Sequence, residues 1–224
     1  VIDNSTVPPV SRPCECRYLR RNIRLFNDGG LPARMHRAAI NNFEETSGNL
    51  AGVKLHMKRY QQAYVPGTRG LLLWGAPGTG KTHLICALLR HFSLERGHSV
   101  KFADFFHLLD VLKAAYAGDR SEEEVIGPLV RVDVLAIDEL GKRPMKPWEV
   151  AILDQVVSRR YNAARSMFVT TNLDPRGPGE GREDTPRLVD QVQERIYSRL
   201  VEMCDFIHVN ADDYRMRKAH VPVK

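Results

Sequence analysis

Five short apolar runs punctuate the chain, at about 71–74, 99–103, 132–137, 166–171 and 205–209. Each has the length of a buried strand, and stretches with helical spacing separate them. Residues 51–64 place apolar side chains at 53, 57, 60 and 64. Residues 83–92 place them at 84/85, 88/89 and 92. Phe105, Leu108, Leu109, Leu112 and Tyr116 share one helical face, as do Val150, Leu153, Val157 and Tyr161 in 147–164. Leu188, Val192, Ile196, Leu200 and Met203 predict one long helix over 188–203. Shorter helical pieces are expected at 17–27, 31–39, 125–130 and 212–218. Residues 1–13 read as disordered, 41–49 as polar connection and 118–124 as a charged exposed turn. Residues 174–186, rich in Pro, Gly and charge, read as a mobile loop. Strands alternating with helices predict an α/β three-layer sandwich with a five-stranded parallel sheet.

The first strand runs into Gly75-Ala76-Pro77-Gly78-Thr79-Gly80-Lys81-Thr82, and His83 opens the helical pattern behind it. This is G-x-x-x-x-G-K-[ST] between a strand and a helix, the P-loop arrangement. Glycines let the backbone curl so that successive N–H groups face phosphate oxygens. The helix adds its positive N-terminal end. Lys81 is expected on the β- and γ-phosphates of ATP, and Thr82 on Mg2+. A chance glycine-rich turn would lack the flanking strand and helix.

The third strand ends in Asp138-Glu139. Ligands of parallel sheets sit at the carboxyl ends of the strands, so both acids should face the loop. Asp138 is expected to hold the Mg2+ shell, and Glu139 to orient and polarise an attacking water. Asn172 ends the fourth strand, where it can touch the γ-phosphate side or cap its own turn. Arg195 and Arg199 are four apart and share a helix side.

Composition changes this picture little. The chain has 224 residues, 43% hydrophobic and 27% charged, as in an ordinary globular domain. No apolar run approaches the roughly 20 residues that span a bilayer, so a cytoplasmic protein without membrane contact is expected. The start at Val1 leaves room for an upstream segment. Net charge is +6, and residues 1–40 hold seven basic against three acidic residues. That basic arm suits either solvent or phosphate. Cys86 and Cys204 sit in apolar patterns and read as core thiols. Cys14 and Cys16 form one close pair with no second pair, and His36 is badly spaced, so zinc is not expected in this chain.

A resemblance narrows the reading. The polar end of the fourth strand, between the acidic strand and the arginine helix, suggests the AAA+ branch of P-loop ATPases. GAPGTGKTHL, VLAIDELG, VTTNL, ERIYSRLVEM and DDYRMRK together resemble the DnaC-type bacterial helicase loaders and the closely similar IstB-type transposition ATPases. The resemblance covers about residues 50–218. It implies strand order 5-1-4-3-2 without a separate lid domain. It makes residues 50–224 an AAA+ ATPase domain and 1–49 a basic linker, similar to the one that follows a cysteine-rich module in such proteins. It also implies that Lys81, Asp138, Glu139 and Asn172 are catalytic, with Asn172 as sensor. Arg199, or alternatively Arg195, becomes an arginine finger, and Arg215 resembles a second sensor. Lys101, Phe102 and Lys113 are implied near single-stranded DNA, although Phe102 equally suits core packing. The implied partners are single-stranded DNA, a replicative hexameric helicase and further copies of the chain in an ATP-dependent oligomer. A transposase replaces the helicase under the IstB-type reading. A P-loop small-molecule kinase is the third alternative; no acceptor site or arginine-rich lid follows the loop, and Asp138-Glu139 suits water activation better.

Overall fold

The computed structural model describes residues 2–3, 10–11, 14–45, 48–176 and 187–219. Its centre is a parallel sheet of β1 (Gly70–Trp74), β2 (Val100–Asp104), β3 (Val134–Asp138), β4 (Ser166–Thr171) and β5 (Cys204–His208). The strands lie in the order β2-β3-β4-β1-β5, which is 5-1-4-3-2 read from the other edge. Every neighbouring pair is parallel, with Leu72 level with both Val169 and Phe206, and Asp104 level with Asp138.

Nine helices surround the sheet among the described residues. They are α1 (Glu15–Asp28), α2 (Leu50–Ala63), α3 (Lys81–Leu94), α4 (Phe105–Tyr116) and α5 (Glu122–Arg131). The others are α6 (Pro147–Asn162), α7 (Leu188–Val192), α8 (Glu194–Met203) and α9 (Tyr214–Ala219). Alternation along the strands divides the core into two. Leu71, Leu73, Val134, Ala136 and Phe168 pack on α2 and α3. Leu72, Leu135, Ile137, Met167 and Val169 pack on α4 to α8. The central strands β1, β3 and β4 are covered on both faces, so their runs are nearly continuously apolar, whereas the edge strands β2 and β5 carry Lys101, Asp104, Asp205 and His208.

Several expectations are corrected. The predicted helix over 188–203 breaks at Gln193, whose φ of 68° and ψ of 153° end α7 and start α8. Its apolar face survives the break, because Leu188, Val192, Ile196 and Leu200 are all buried. Helix α5 starts at Glu122 rather than 125, because Ser121 and Glu124 form a capping box. The piece at 31–39 is a single 3-10 turn, Ala33–Met35. Residues of the expected linker, Leu31, Ala38, Ile40 and Phe43, are buried with α2 and α3. Tyr116 and Tyr161 point outward, 52% and 38% exposed. Residues Ile2–Asp3 and Val10–Ser11 pair antiparallel where no structure was expected. The rest of 1–13 and the core of the expected mobile loop, 177–186, lie outside the described residues.

Arg160 takes the inward place on α6 that the pattern assigned to Tyr161. It is fully buried and donates to the carbonyls of Leu129, Val130, Val132, Asp133 and Ser166. Burial pulls its pKa down to about 10. One guanidinium thereby satisfies the carbonyls where α5 turns into β3 and where β4 begins, and it fixes the strand that carries Asp138.

Candidate nucleotide site

The loop between β1 and α3 adopts the conformation its glycines permit. Gly75, Gly78 and Gly80 have φ of 137°, 77° and 93°. Lys81 begins α3 and is buried. Its ammonium lies 2.8 Å from the Gly75 carbonyl and 2.7 Å from that of Ala76, and Thr79 Oγ1 is 3.0 Å from the same Ala76 oxygen. Among the described residues no carboxylate pairs with Lys81. Burial therefore pushes its pKa down to about 8, against the pull of Asp138. A buried cation held only by neutral dipoles favours an incoming anion.

Across from it, the Thr82 hydroxyl lies 3.0 and 3.1 Å from the two carboxylate oxygens of Asp138. Asp138 is buried, which raises its pKa, while hydrogen bonds from Thr170 and Thr82 oppose the rise. Thr170 also accepts the backbone N–H of Glu139 at 2.9 Å. Glu139 sits at φ 57°, a left-handed conformation that a non-glycine residue adopts at a cost of the order of 1 kcal/mol or more. Thr170 thus holds the turn that projects the Glu139 carboxylate, which meets Lys142 at 2.6 Å. A buried ammonium, a hydroxyl and a carboxylate touching it form an oxygen-rich site for a hard cation beside an anion. These residues fit ATP and Mg2+: Lys81 and the loop N–H groups would hold phosphates, and Thr82 and Asp138 the metal. Among the described residues no group of three or more His, Cys, Asp or Glu could hold a metal by itself.

Two segments cover the loop. Phe43 packs on Gly80, where an added Cβ would come within 2.5 Å of its ring. The His83 ring bonds the Ala39 carbonyl at 3.1 Å and tilts against Phe43. From the C-terminal side, Tyr214 N–H donates to the Gly78 carbonyl at 3.1 Å. An added Cβ on Gly78 would fall 1.9 Å from Asp213 Oδ1. Arg215 is turned onto Asp213 at 3.2 Å and is 67% exposed.

The remaining candidates have other surroundings. Asn172 is exposed just beyond β4, whose neighbours are β3 and β1. Arg199 Nη1 lies 2.9 Å from Asp154 Oδ1 on α6 and also donates to Ser158, above the Tyr161 ring. Arg195 shares Asp154 at 3.6 Å and is 68% exposed. Glu202, three residues beyond Arg199 on the same helix, accepts from Tyr161 at 2.6 Å. Lys101 donates to the Asp28 carbonyl and Phe102 N–H to that of Gly29, both at 2.8 Å, so α1 closes the outer sheet edge there. Lys113 pairs with Asp110 at 3.0 Å and lies over Trp148. Cys14 and Cys16 are exposed at the start of α1, and Cys86 and Cys204 are buried.

The sequence reading missed Thr170, Lys142, Asp213 and Phe43. Thr170 had a signal: Ile137 and Val169 are partners, so the next residues, Asp138 and Thr170, come level in a parallel ladder. Lys142 is a local neighbour, three residues from Glu139, whereas Asp213 and Phe43 reach the site only through tertiary packing.

Residues 11–221 match the family of IstB-like ATP binding proteins. The chain belongs to that family. Within curated proteins, it is 34% identical to the replicative helicase loader DnaC of Buchnera aphidicola subsp. Schizaphis graminum over 122 residues, 54% of this chain and 49% of that one. It is 28% identical to the replicative helicase loader DnaC of Escherichia coli K12 over 196 residues, 87% of this chain and 76% of that one. Across three Buchnera aphidicola relatives the chain spans 49% to 63% of their length. A crystal structure of the DnaC helicase loader superposes with a TM-score of 0.69 at 22% identity, covering 80% of this chain and all of that one. The shared fold is the AAA+ type of P-loop core, and the IstB-like family places the glycine loop and its acidic strand in an ATP-binding protein. No helix among the described residues is long and apolar enough to cross a membrane.

Proposed function

We propose that this chain hydrolyses ATP to drive assembly on single-stranded DNA, and that it loads a replicative hexameric helicase in the cytoplasm. The observation that carries the ATPase reading is the line Lys81, Thr82, Asp138, Thr170 and Glu139 at the carboxyl ends of β1, β3 and β4. Bound Mg2+, held by Thr82 and Asp138, would supply neutralisation of phosphate charge. The chain's own residues do the rest. Lys81 draws the phosphates into the loop. Glu139, projected by its left-handed backbone, accepts the proton of an attacking water. Lys142 holds that carboxylate until water and phosphate are in place. Asn172 reads the γ-phosphate side, and Arg199 is offered to a neighbouring copy's site. Residues 50–224 are the ATPase domain and 1–49 a basic linker, of which Leu31, Ala38, Ile40 and Phe43 pack against that domain.

The loader role is supported by 28% identity with a helicase loader over 87% of the chain. A second reading, a transposition ATPase that coats target DNA, is favoured by the IstB-like family match. Capture of a purified replicative helicase against a purified transposase, with ATP present, separates them. Capture of the transposase alone would overturn the loader reading.

A further inference from the structure

Among the described residues, exposed cations without a carboxylate partner concentrate on one face. Residues 14–96 hold thirteen Lys and Arg against five Asp and Glu, a net +8, while residues 97–224 hold nineteen against twenty-one, a net −2. Pairing follows this division in part, since within 14–96 Lys54 meets Glu45 and Arg69 meets Asp205. On the α4–α8 side, Arg131 and Arg159 share Glu123, Arg143 grips Glu149 and Arg199 grips Asp154. On the opposite layer, α3 lies between α1 and α2. There Arg17, Arg20, Arg21 and Arg24 fall at i, i+3, i+4 and i+7 of α1, a single exposed stripe. None of the four is paired with a carboxylate among the described residues. Asn22 of the same helix bonds the Leu94 carbonyl at 2.9 Å, which seats α1 across the end of α3. Beside that end, a groove of about 400 Å³ opens between α2 and α3. Lys58 and Arg90 line it with the amides of Asn41, Gln61 and Gln62, and neither cation has an ion pair among the described residues. Its acid, Glu95, is already engaged by His91 at 2.8 Å.

We infer that the α1 stripe and the α2–α3 groove form one track for the phosphate backbone of single-stranded nucleic acid. Lys101 and Phe102 meet the C-terminal end of α1 without lying in the stripe, and Lys113 is on α4 in the other layer. Cations unpaired by carboxylates keep their full attraction for phosphate, and side-chain amides add hydrogen bonds that are indifferent to sequence. The stripe covers two turns, about 10 Å at 1.5 Å per residue, enough to follow successive phosphates. Tyr18, 56% exposed on α1, supplies a ring on which a base can stack. A strand fits this surface better than an acidic peptide, because the cations extend from the groove along a second helix rather than ending at one pocket.

This rests on the proposed action on single-stranded DNA, and the two can fail separately. Binding of labelled oligothymidylate is followed by anisotropy across a salt series for the parent, for Lys58→Glu/Arg90→Glu and for Arg17→Ala/Arg20→Ala/Arg24→Ala. Each variant is expected to lose roughly tenfold or more in affinity, and to flatten the slope of log affinity against log salt by about 1 to 2. ATP affinity should stay at the parental value, since none of these residues touches the loop. If charge reversal lowers ATP affinity as well, Lys58→Gln/Arg90→Gln is measured in its place. Parental affinity and slope in the variants overturn the track. Loss of polyglutamate binding with DNA binding intact also overturns it and assigns the face to an acidic protein. A parent that binds no oligothymidylate at all overturns both the track and the action on single-stranded DNA.

Discussion

The glycine loop and helix α8 both present cations, but they are held in opposite ways. Lys81 is buried among neutral carbonyls, with no carboxylate in contact among the described residues and its pKa pushed down to about 8. Arg199 is 21% exposed and locked to Asp154 at 2.9 Å, with a second contact to Ser158. The first is a cation left uncompensated inside its own chain, ready for an anion that arrives from outside. The second is compensated at home and faces the surface, so any use in catalysis requires it to be shared with or released from Asp154. A site assembled within one chain and a site completed between chains would differ in just this way.

The largest test of that contrast is Arg199→Ala. An arginine supplied in trans stabilises charge on the transferred phosphoryl group, and its loss should lower hydrolysis about 10³-fold with ATP affinity unchanged. Specific activity of the parent should rise with protein concentration. Mixing Arg199→Ala with Lys81→Ala should restore part of it, since the second variant carries the arginine that the first lacks. If Arg199 only tethers α8 to α6, its removal costs under about 1 kcal/mol of stability, as for other partly exposed pairs. Turnover would then fall only with the folded fraction, and mixing would rescue nothing.

Glu139→Gln sharpens the loop side. The amide keeps the shape and the left-handed turn but cannot accept a proton, so single-turnover hydrolysis should drop by about 10²-fold or more. ATP should bind as before. An undiminished rate would move the base elsewhere, and would leave the strained turn at Glu139 without a role.

These two residues also mark how far the sequence could be read. Asp138 and Glu139 were legible because a strand buried on both faces is a continuous apolar run, and acids at its end stand out. The glycine loop was legible for a similar reason: only glycine accepts φ near 77° and 93° without strain. Strand order followed from the AAA+ resemblance rather than from periodicity. What escaped were contacts made across the sequence. Phe43 on Gly80 and Asp213 beside Gly78 close the loop from both chain ends, and no local pattern announces either. Gln193 breaks a helix whose apolar spacing continues unbroken, so the period hid the bend. Arg160 is invisible to an apolar template, since its guanidinium serves carbonyls instead of solvent. Helix α8 could be placed, but Asp154 as the partner of Arg199 depends on how α6 docks.

Lys81→Ala has the next effect in size. Hydrogen bonds to a charged group contribute about 1.5–3 kcal/mol, so ATP affinity should fall about 10- to 100-fold by calorimetry. Parental affinity would mean that the loop N–H groups alone hold the phosphates, and the contrast between the two cations would lose its first half.

The smallest effect is a fraction of a proton, and it tests the burial of Lys81 directly. Its folded-state pKa of about 8 lies below the ordinary lysine value of 10.5. Between those two values the unfolded chain holds more protons than the folded one, so the penalty this group places on stability is full below about 8 and fades as pH rises through 10.5. Phosphates placed against the ammonium favour its charged form and return the pKa towards normal. Binding of ATP at pH 8 should therefore take up roughly 0.5 proton at this site, because half of the free protein has lost it there. The number follows from titration calorimetry in buffers of different ionisation enthalpy, and it should grow towards pH 9 and shrink towards pH 7. Affinity should weaken over the same rise. In Lys81→Met the uptake assigned to this group should vanish, whereas Arg199→Ala should leave it as in the parent, since a guanidinium stays charged throughout. Equal uptake in parent and Lys81→Met would show that the ammonium is already solvated, and that the loop does not hold an uncompensated cation.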